Sequence, residues 1–168
     1  ESSKLENYNF IKTDLSNYEA TKIAINKSNP DLIFHLAAES HVDRSIDSPK
    51  EFIQSNIIGT FNLLENALNH FRGMEKLRKN NFKFLHISTD EVFGSLGEKG
   101  FFDENSRYDP RSPYSATKAS SDHLVRAWQH TYKLPTLITN CSNNFGPWQF
   151  PEKLIPLIIN KALNEEEI

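Results

Sequence analysis

One stretch of the sequence combines a hydroxyl and two carboxyl side chains in a position that favours chemistry. Thr89, Asp90 and Glu91 directly follow an apolar run that begins at Phe82. A buried strand that ends in such groups delivers them to the carboxyl edge of a sheet, where ligands of open α/β sheets bind. Adjacent carboxyls with different pKa values can divide the roles of acid and base. The stretch therefore predicts a site of proton transfer, although short polar residues after a strand can also simply form a turn or cap.

A second pair with chemical potential is Tyr114 and Lys118, within the segment Tyr-Ser-Ala-Thr-Lys. Residues four apart on a helix share one face, so the ammonium can reach the phenol. A phenol ordinarily titrates near a pKa of ~10, and a neighbouring cation lowers that value. The pair is thus typical of a tyrosine base, whereas a solvated helix face is the ordinary structural alternative.

The apolar pattern that must position these residues predicts alternating strands and helices. The segment 31–38 is apolar on both faces, which predicts a central strand, and residues 75–81 and 94–113 are predicted as connections. This alternation predicts an α/β fold with a doubly wound parallel sheet, Rossmann-like in type. The predicted strands are 8–12, 31–38, 82–89 and 136–141, and the predicted helices are 17–27, 48–71, 114–132 and 152–163.

The composition narrows the class of protein. A chain of 168 residues with 38% hydrophobic content can bury one core, and a net charge of -3 gives no field that would gather nucleic acid or anionic lipid. No apolar run approaches the ~20 residues of a membrane span, and the first residues lack the pattern of a signal peptide. The single cysteine, Cys141, fits a reducing compartment, so we expect a cytoplasmic protein without nucleic-acid or membrane partners.

Three glycines, Gly94, Gly97 and Gly100, match the spacing of a loop that cradles dinucleotide phosphates. Such a loop must follow a strand and open a helix, so that the helix N-terminus faces the phosphates. Here prolines and turn formers follow Gly100, and they forbid that helix. We therefore predict ordinary loop glycines.

Together, Thr89-Asp90-Glu91 and Tyr114-x-x-x-Lys118 carry a resemblance to the extended short-chain dehydrogenase/reductases, and within them to the dTDP-glucose 4,6-dehydratases. The resemblance covers essentially the whole chain, from the family's third strand onward. The family's glycine loop, its acidic ribose-binding residue and most of its substrate lobe are not in these 168 residues. We therefore expect a fragment of a longer protein, with an incomplete NAD-binding domain at 1–142 and the start of a substrate-binding region at 143–168.

The resemblance implies a role for each residue of the two groups. Tyr114, activated by Lys118, would take the proton of the C4 hydroxyl while NAD accepts the hydride. Glu91 would remove the C5 proton, and Asp90 would protonate the departing C6 hydroxyl. Thr89 would bind the C4 oxygen. The product of dTDP-glucose would be its 4-keto-6-deoxy derivative, after the hydride returns to C6.

Other positions match the family's binding residues. Residues 41–44 resemble a structural loop of the family near the site. The six histidines do not cluster at metal-ligand spacing, so we expect no metal. The implied cofactor-binding residues are Asp14, Leu15, Leu36, Ala37, Ala38, Ser40, Ser55, Tyr114, Lys118 and Asn144. The implied substrate-binding residues are Ser40, Thr89, Asn143, Lys153 and Leu154.

Two alternatives stay open beside the dehydratase. An epimerase or decarboxylase acting on a UDP-sugar would use the same tyrosine and lysine, but it has no elimination to catalyse and lacks the Asp-Glu pair. A fragment that only binds a nucleotide weakly is the second alternative. The family also implies a homodimer of the full-length protein through the helices 49–71 and 114–132, which sequence alone cannot separate from interior packing.

Overall fold

A parallel sheet of three strands forms the centre of the structure, a computed structural model that describes residues 6–167. The strands lie in the order β1 (Leu32–His35), β2 (Lys83–Thr89) and β3 (Thr136–Cys141). Thr89 lies opposite Cys141, whereas His35 lies opposite His86, so β2 and β3 extend further than β1 at their carboxyl ends. The predicted parallel α/β fold is confirmed.

Seven α-helices accompany the sheet in residues 6–167. A π-helical segment, Ile53–Ile58, joins α3 to α4, and a short 3-10 helix, Asp90–Phe93, follows β2 directly. None of the helices in the described residues combines the length and the apolar character needed to cross a membrane. The helices are α1 (Tyr18–Ser28), α2 (Val42–Asp47), α3 (Pro49–Phe52), α4 (Gly59–Gly73), α5 (Lys76–Asn81), α6 (Pro113–Tyr132) and α7 (Leu154–Leu163).

Strong local signals fix both ends of α6. The Ser112 hydroxyl accepts a hydrogen bond from the backbone N–H of Ser115, and the Ser115 hydroxyl accepts one from the N–H of Ser112, each at 3.0 Å. This reciprocal arrangement is a capping box, and Pro113 occupies the first turn, where its missing N–H costs nothing. Lys133, in the left-handed region at φ 59°, ends the helix. These signals place Tyr114 in the first turn of α6.

The core lies between one face of the sheet and the helices α4 and α6. Phe84 of β2, Leu64 of α4 and Val125 of α6 are fully buried there. Burying an apolar side chain of this size stabilises a protein by about 1.5–3 kcal/mol. On the other face of β1, Leu32 and Phe34 are 52% and 61% exposed. The prediction that this strand is central is therefore wrong within the described residues, where β1 is an edge strand.

Other predictions of secondary structure were wrong at places where tertiary contacts determine whether a strand or a helix forms and where it ends. Residues 8–12 form no strand, because no neighbouring strand within residues 6–167 pairs with their backbone. The strand predicted for 31–38 ends at His35. The helices α2 and α5 occupy segments predicted as loops, and the last helix begins at Leu154 rather than at 152. In α5, the Arg78 guanidinium binds Asp31 and Asn29, which ties this polar helix to the end of α1.

The three glycines at 94, 97 and 100 lie in a loop without helix, as predicted. Gly94 adopts φ +86°, and a Cβ added there would lie 2.7 Å from the Asp109 carbonyl oxygen. The backbone of Asp109 is itself held by a 2.9 Å hydrogen bond to the Val92 carbonyl. Gly94 is thus required by close packing against the loop that follows the site stretch, rather than by phosphate binding.

We predict that Gly94→Ala lowers the free energy of unfolding by about 1–3 kcal/mol, because the side chain combines backbone strain with a steric clash. The matched control is Gly97→Ala, since a Cβ at Gly97 would meet no atom within 4 Å. Chemical denaturation of the two variants measures the difference. Equal stability of both would contradict this account of the loop.

Candidate active site

A cleft of about 550 Å³ opens at the carboxyl ends of the strands, and most of the predicted site residues line it. It gathers side chains from the segment after β1, the end of β2, the first turns of α6 and the segment that leads into α7. This is where an open α/β sheet binds its ligand. The predicted residues that line the cleft are Leu36, Ala38, Ser40, Thr89, Glu91, Tyr114, Lys118, Asn143, Asn144, Lys153 and Leu154.

Five predicted residues lie outside the lining of this cleft: Asp14, Leu15, Ala37, Ser55 and Asp90. Asp14 is exposed and accepts a 2.9 Å hydrogen bond from the backbone N–H of Ser16, which lowers the pKa of its carboxyl. Leu15 packs against the core beside α1. Both residues therefore shape the entry to α1 in this structure, and their contact with adenine stays a prediction.

The stretch after β2 forms a tight turn and faces the cleft at the same time. The Thr89 hydroxyl caps the 3-10 helix by accepting a 3.2 Å hydrogen bond from the Glu91 N–H, and it lies 3.4 Å from an Asp90 carboxylate oxygen. Burial raises the pKa of Glu91, the negative charge of Asp90 raises it further, and Lys153 opposes the shift. A carboxylate with a raised pKa is suited to accept a proton at neutral pH, which fits the base role predicted for Glu91.

Tyr114 is 9% exposed at the start of α6. Burial and the negative charge of Glu91 raise the pKa of the phenol to about 12, while its interaction with the Thr89 side chain lowers it. The Lys118 ammonium donates a 2.7 Å hydrogen bond to the Ile87 carbonyl of β2. Lys118 is not among the groups that shift Tyr114 here, so activation of the phenol by this lysine stays a prediction.

Asn56, which the sequence pattern did not single out, does not line the cleft but joins two segments that do. Its side-chain oxygen accepts a 2.8 Å hydrogen bond from the Glu39 N–H, and its amide donates to the Glu39 carbonyl at 3.0 Å and to the Thr117 hydroxyl at 3.0 Å. Ser121 of α6 donates to the Asn56 carbonyl at 2.7 Å. Asn56 lies in the π-helical segment and joins the residues after β1 to α6. A polar residue amid an apolar helical pattern was the signal that could have indicated it.

Contacts across the cleft join the segment after β1 to the residues before α7. The Lys153 ammonium donates a 3.2 Å hydrogen bond to the Ser40 carbonyl, so two predicted substrate-binding residues are in contact. Arg44 of α2 forms a 2.7 Å ion pair with Glu152, and His41 lies 4.0 Å from the same carboxylate. The segment 41–44 therefore contacts Glu152, two residues before α7 begins.

The sequence comparison identifies the family on the full length of the chain. The family described as GDP-mannose 4,6 dehydratase matches residues 1–168. This chain belongs to the GDP-mannose 4,6 dehydratase family. It is 54% identical over 164 residues to a probable dTDP-glucose 4,6-dehydratase of Sinorhizobium fredii, covering 98% of this chain and 47% of that relative.

Solved structures agree with this membership of the GDP-mannose 4,6 dehydratase family. A double mutant of dTDP-glucose 4,6-dehydratase from Streptomyces venezuelae, with NAD bound, has a TM-score of 0.85 and 37% identity, covering 97% of this chain and 47% of that one. UDP-glucuronic acid 4-epimerase from Bacillus cereus, in complex with its sugar nucleotide and NAD, has a TM-score of 0.83 and 26% identity, with coverages of 98% and 48%. The chain spans about half the length of these family relatives.

We predict that Asn56→Ala lowers the free energy of unfolding by about 1–3 kcal/mol, because it removes the hydrogen bonds of Asn56 to both backbone groups of Glu39 and to the Thr117 hydroxyl. The control is Gln54→Ala in the same π-helical segment, whose exposed side chain makes a change within about 0.5 kcal/mol the expected result. Thermal or denaturant unfolding measures both. An Asn56 variant as stable as the control would refute this role.

Proposed function

We propose that this chain is the catalytic half of a longer NAD-dependent dTDP-glucose 4,6-dehydratase. The observation that carries the proposal is that Thr89, Glu91, Tyr114 and Lys118 line one cleft. A hydride-transfer enzyme of this family needs a phenol and an ammonium, and an elimination needs a carboxyl base beside them. The relatives at about 54% identity are named as dTDP-glucose 4,6-dehydratases, which supports the same substrate.

The residues present suit the nicotinamide end of a dinucleotide. The segment after β1 presents the small side chains of Ala37 and Ala38, so a planar ligand can approach its backbone closely, and Asn56 holds that backbone at Glu39. Bound NAD supplies the acceptor for the C4 hydride and later its donor. We propose that residues 1–142 belong to the cofactor-binding domain and that residues 143–168 begin the substrate-binding region.

The side chains of the cleft divide the proton transfers among themselves. Tyr114 would take the proton of the C4 hydroxyl as the hydride leaves, and the Lys118 ammonium would supply positive charge that lowers the pKa of the phenol. Thr89 orients the C4 oxygen. Glu91, whose raised pKa suits it to accept a proton, removes the proton at C5, which the new C4 ketone has acidified. Asp90 adjoins Glu91 but lies outside the lining of the cleft in this structure, and we propose that it reaches the substrate to give a proton to the departing C6 hydroxyl. Water then leaves before the hydride returns to C6 and a proton to C5.

Substrate contacts on the far side of the cleft complete the proposal. Lys153 pairs with the diphosphate of the sugar nucleotide, and its present hydrogen bond to Ser40 keeps it at the cleft. Asn143, Asn144 and Leu154 line the same side. These contacts agree with a nucleotide bound along the segment that leads from β3 into α7.

We also propose that the longer protein is a cytoplasmic homodimer that pairs through the outer faces of α4 and α6. The support is an aromatic patch in which Phe61 and Tyr132 both pack against Trp128, with ring centroids 5.8 Å and 5.4 Å apart. Phe61 and Tyr132 remain 38% and 42% exposed. Exposed aromatic side chains on neighbouring helices are typical of interfaces.

The roles of the base residues can be separated by kinetics in the full-length protein. We predict that Tyr114→Phe lowers the rate of NAD reduction by about 10²–10⁴-fold, because the variant has no phenol to accept the hydroxyl proton. Glu91→Gln should still reduce NAD but form no 4-keto-6-deoxy sugar, because the C5 proton stays in place. Glu98→Gln, an exposed carboxyl of the loop that follows, is the control that retains turnover.

Product analysis distinguishes the proposal from its alternative. Incubation of the protein with dTDP-glucose should give the 4-keto-6-deoxy product. Inversion at C4 with the C6 hydroxyl intact would establish an epimerase instead, and product formation by Tyr114→Phe or Glu91→Gln at the wild-type rate would refute the roles assigned to them.

We predict that the 168-residue chain by itself binds NAD weakly. Its glycine triad lies in a loop that opens no helix, so in the described residues 6–167 this triad offers the pyrophosphate no helix N-terminus. Isothermal titration calorimetry of the isolated chain against the full-length protein measures the difference. Equally tight binding by both would show that the cofactor is held by residues other than those of a glycine loop.

A further inference from the structure

A carboxylate without a role in the proposed reaction is buried directly behind the site. Asp122 lies on α6, one helical turn after Lys118, and is 0% exposed. Its Oδ2 atom accepts hydrogen bonds from the Ser88 hydroxyl at 2.8 Å and from the Tyr108 hydroxyl at 2.8 Å. Its other oxygen lies 3.3 Å from His86 Nε2. A buried acid is costly unless nearby groups satisfy it, so this position requires an explanation.

The charge that accompanies Asp122 is the ammonium of Lys118. Lys118 is 4% exposed. Among residues 6–167, no other lysine is buried, and no aspartate or glutamate besides Asp122 is buried. Three consecutive residues of β2 contact the pair in turn. His86 and Ser88 face Asp122, and the Ile87 carbonyl between them accepts the 2.7 Å hydrogen bond of Lys118. The two buried charges thus share one strand as their support.

The same carboxylate is connected to the backbone of the site stretch. Asn140 of β3 donates a 3.2 Å hydrogen bond to the Thr89 carbonyl and lies 3.4 Å from Asp122 Oδ2. Ser88, which donates to Asp122, immediately precedes Thr89. Asp122 is therefore in contact with Ser88, which precedes Thr89 in the chain, and with Asn140, which binds the Thr89 carbonyl.

We propose that Asp122 is a positioning residue of the active site, whose buried negative charge keeps Lys118 protonated and whose hydrogen bonds through Ser88 and Asn140 hold the backbone of Thr89. Its role in the rate rests on the proposed function, whereas its effect on Lys118 does not.

The charges around the pair determine the direction of the effect. Burial lowers the pKa of Lys118 to about 8, and the charge of Asp122 opposes that shift. Of the other groups facing Asp122, His86 has a pKa lowered mainly by burial, and Tyr108 has one raised to about 12, so both are neutral near pH 8. Tyr114, with its pKa raised to about 12, and His35 of β1, whose pKa burial lowers to about 3, are likewise uncharged there. Removing the charge of Asp122 therefore lowers the pKa of Lys118 further, and the ammonium loses its proton at a lower pH.

The test compares Asp122→Asn with Tyr108→Phe in the full-length protein. Asparagine retains the shape and can still accept from Ser88, whereas phenylalanine removes one hydrogen bond to Asp122 and leaves the charge. NMR titration of ¹³C-labelled lysine, with the Lys118 signal assigned by its loss in Lys118→Arg, reads the protonation directly. We expect the Lys118 titration, and with it the alkaline limb of the kcat profile, to move to lower pH by about one unit or more in Asp122→Asn. In Tyr108→Phe both should stay at the wild-type position.

The proposal is overturned if Lys118 titrates alike in Asp122→Asn and wild type, or if Tyr108→Phe moves it as far. Asp122→Glu is the second variant, because it retains the charge even if the asparagine variant does not fold. In Asp122→Glu, Lys118 should titrate as it does in the wild type. A shift of the Lys118 titration to lower pH in this variant would also overturn the proposal. A protein that forms no keto sugar yet shows the Lys118 difference would refute the dehydratase function and support this inference.

Discussion

The burial of one ammonium and one carboxylate between α6 and β2 constrains the whole site. Lys118 and Asp122 are one helical turn apart, and residues 86–88 of β2 contact them in sequence. A charge withdrawn from water must be compensated by an opposite charge or by hydrogen bonds. Here Lys118 donates to the Ile87 carbonyl, and Oδ2 of Asp122 accepts from Ser88 and Tyr108. The helix can therefore occupy only one register against the strand. That register brings Tyr114, one turn before Lys118, to the end of β2, where Thr89 and Glu91 begin the cleft.

A second set of contacts fixes the segment after β1 against the same helix. Asn56 binds both backbone groups of Glu39 and reaches Thr117, while Ser121 binds the Asn56 carbonyl. These bonds come from a π-helical segment, a form of helix that is frequently found at functional sites. The helix α6 is thus held on one side by β2, which leads into the 3-10 helix with the two carboxyls, and on the other by the segment proposed to lie along the cofactor. The proposed cofactor and the proposed substrate would therefore both be positioned relative to α6.

Much of the fold could be predicted from sequence because its signals are local. The spacing of apolar residues indicated β2, β3 and α6, and Pro113 with Ser112 marks the start of α6. The 8–12 strand failed because strand formation depends on a neighbouring strand, which periodicity does not reveal. The central position predicted for β1 failed for the same reason, since the neighbours of a strand are a property of the tertiary structure. The π-helical segment has no signal in the apolar pattern, which continues through it.

In the candidate site, too, features with a local sequence signal were predicted and features that depend on tertiary contacts were not. Chemical type and spacing, together with the family resemblance, singled out several of the residues that line the cleft, and the roles given to them stay predictions. Asp122, Asn56 and Asn140 were not predicted, because they act through hydrogen bonds to backbone or to other buried side chains, and such partners are far away in sequence. The direction of the Tyr114 pKa shift also depended on structure. The ammonium predicted to approach the phenol is held by the Ile87 carbonyl, while Glu91 lies close enough to raise the pKa of the phenol.

The central claim is that the phenol, the ammonium and the carboxyls act on one hexose, and isotope transfer tests it most directly. The full-length protein would be incubated with dTDP-glucose that carries deuterium at C4, and the product would be analysed by NMR and mass spectrometry. The account predicts a 4-keto-6-deoxy sugar with the deuterium at C6, because the hydride removed from C4 returns to the same molecule. Deuterium retained at an inverted C4, or product whose C6 carries only hydrogen, would contradict it.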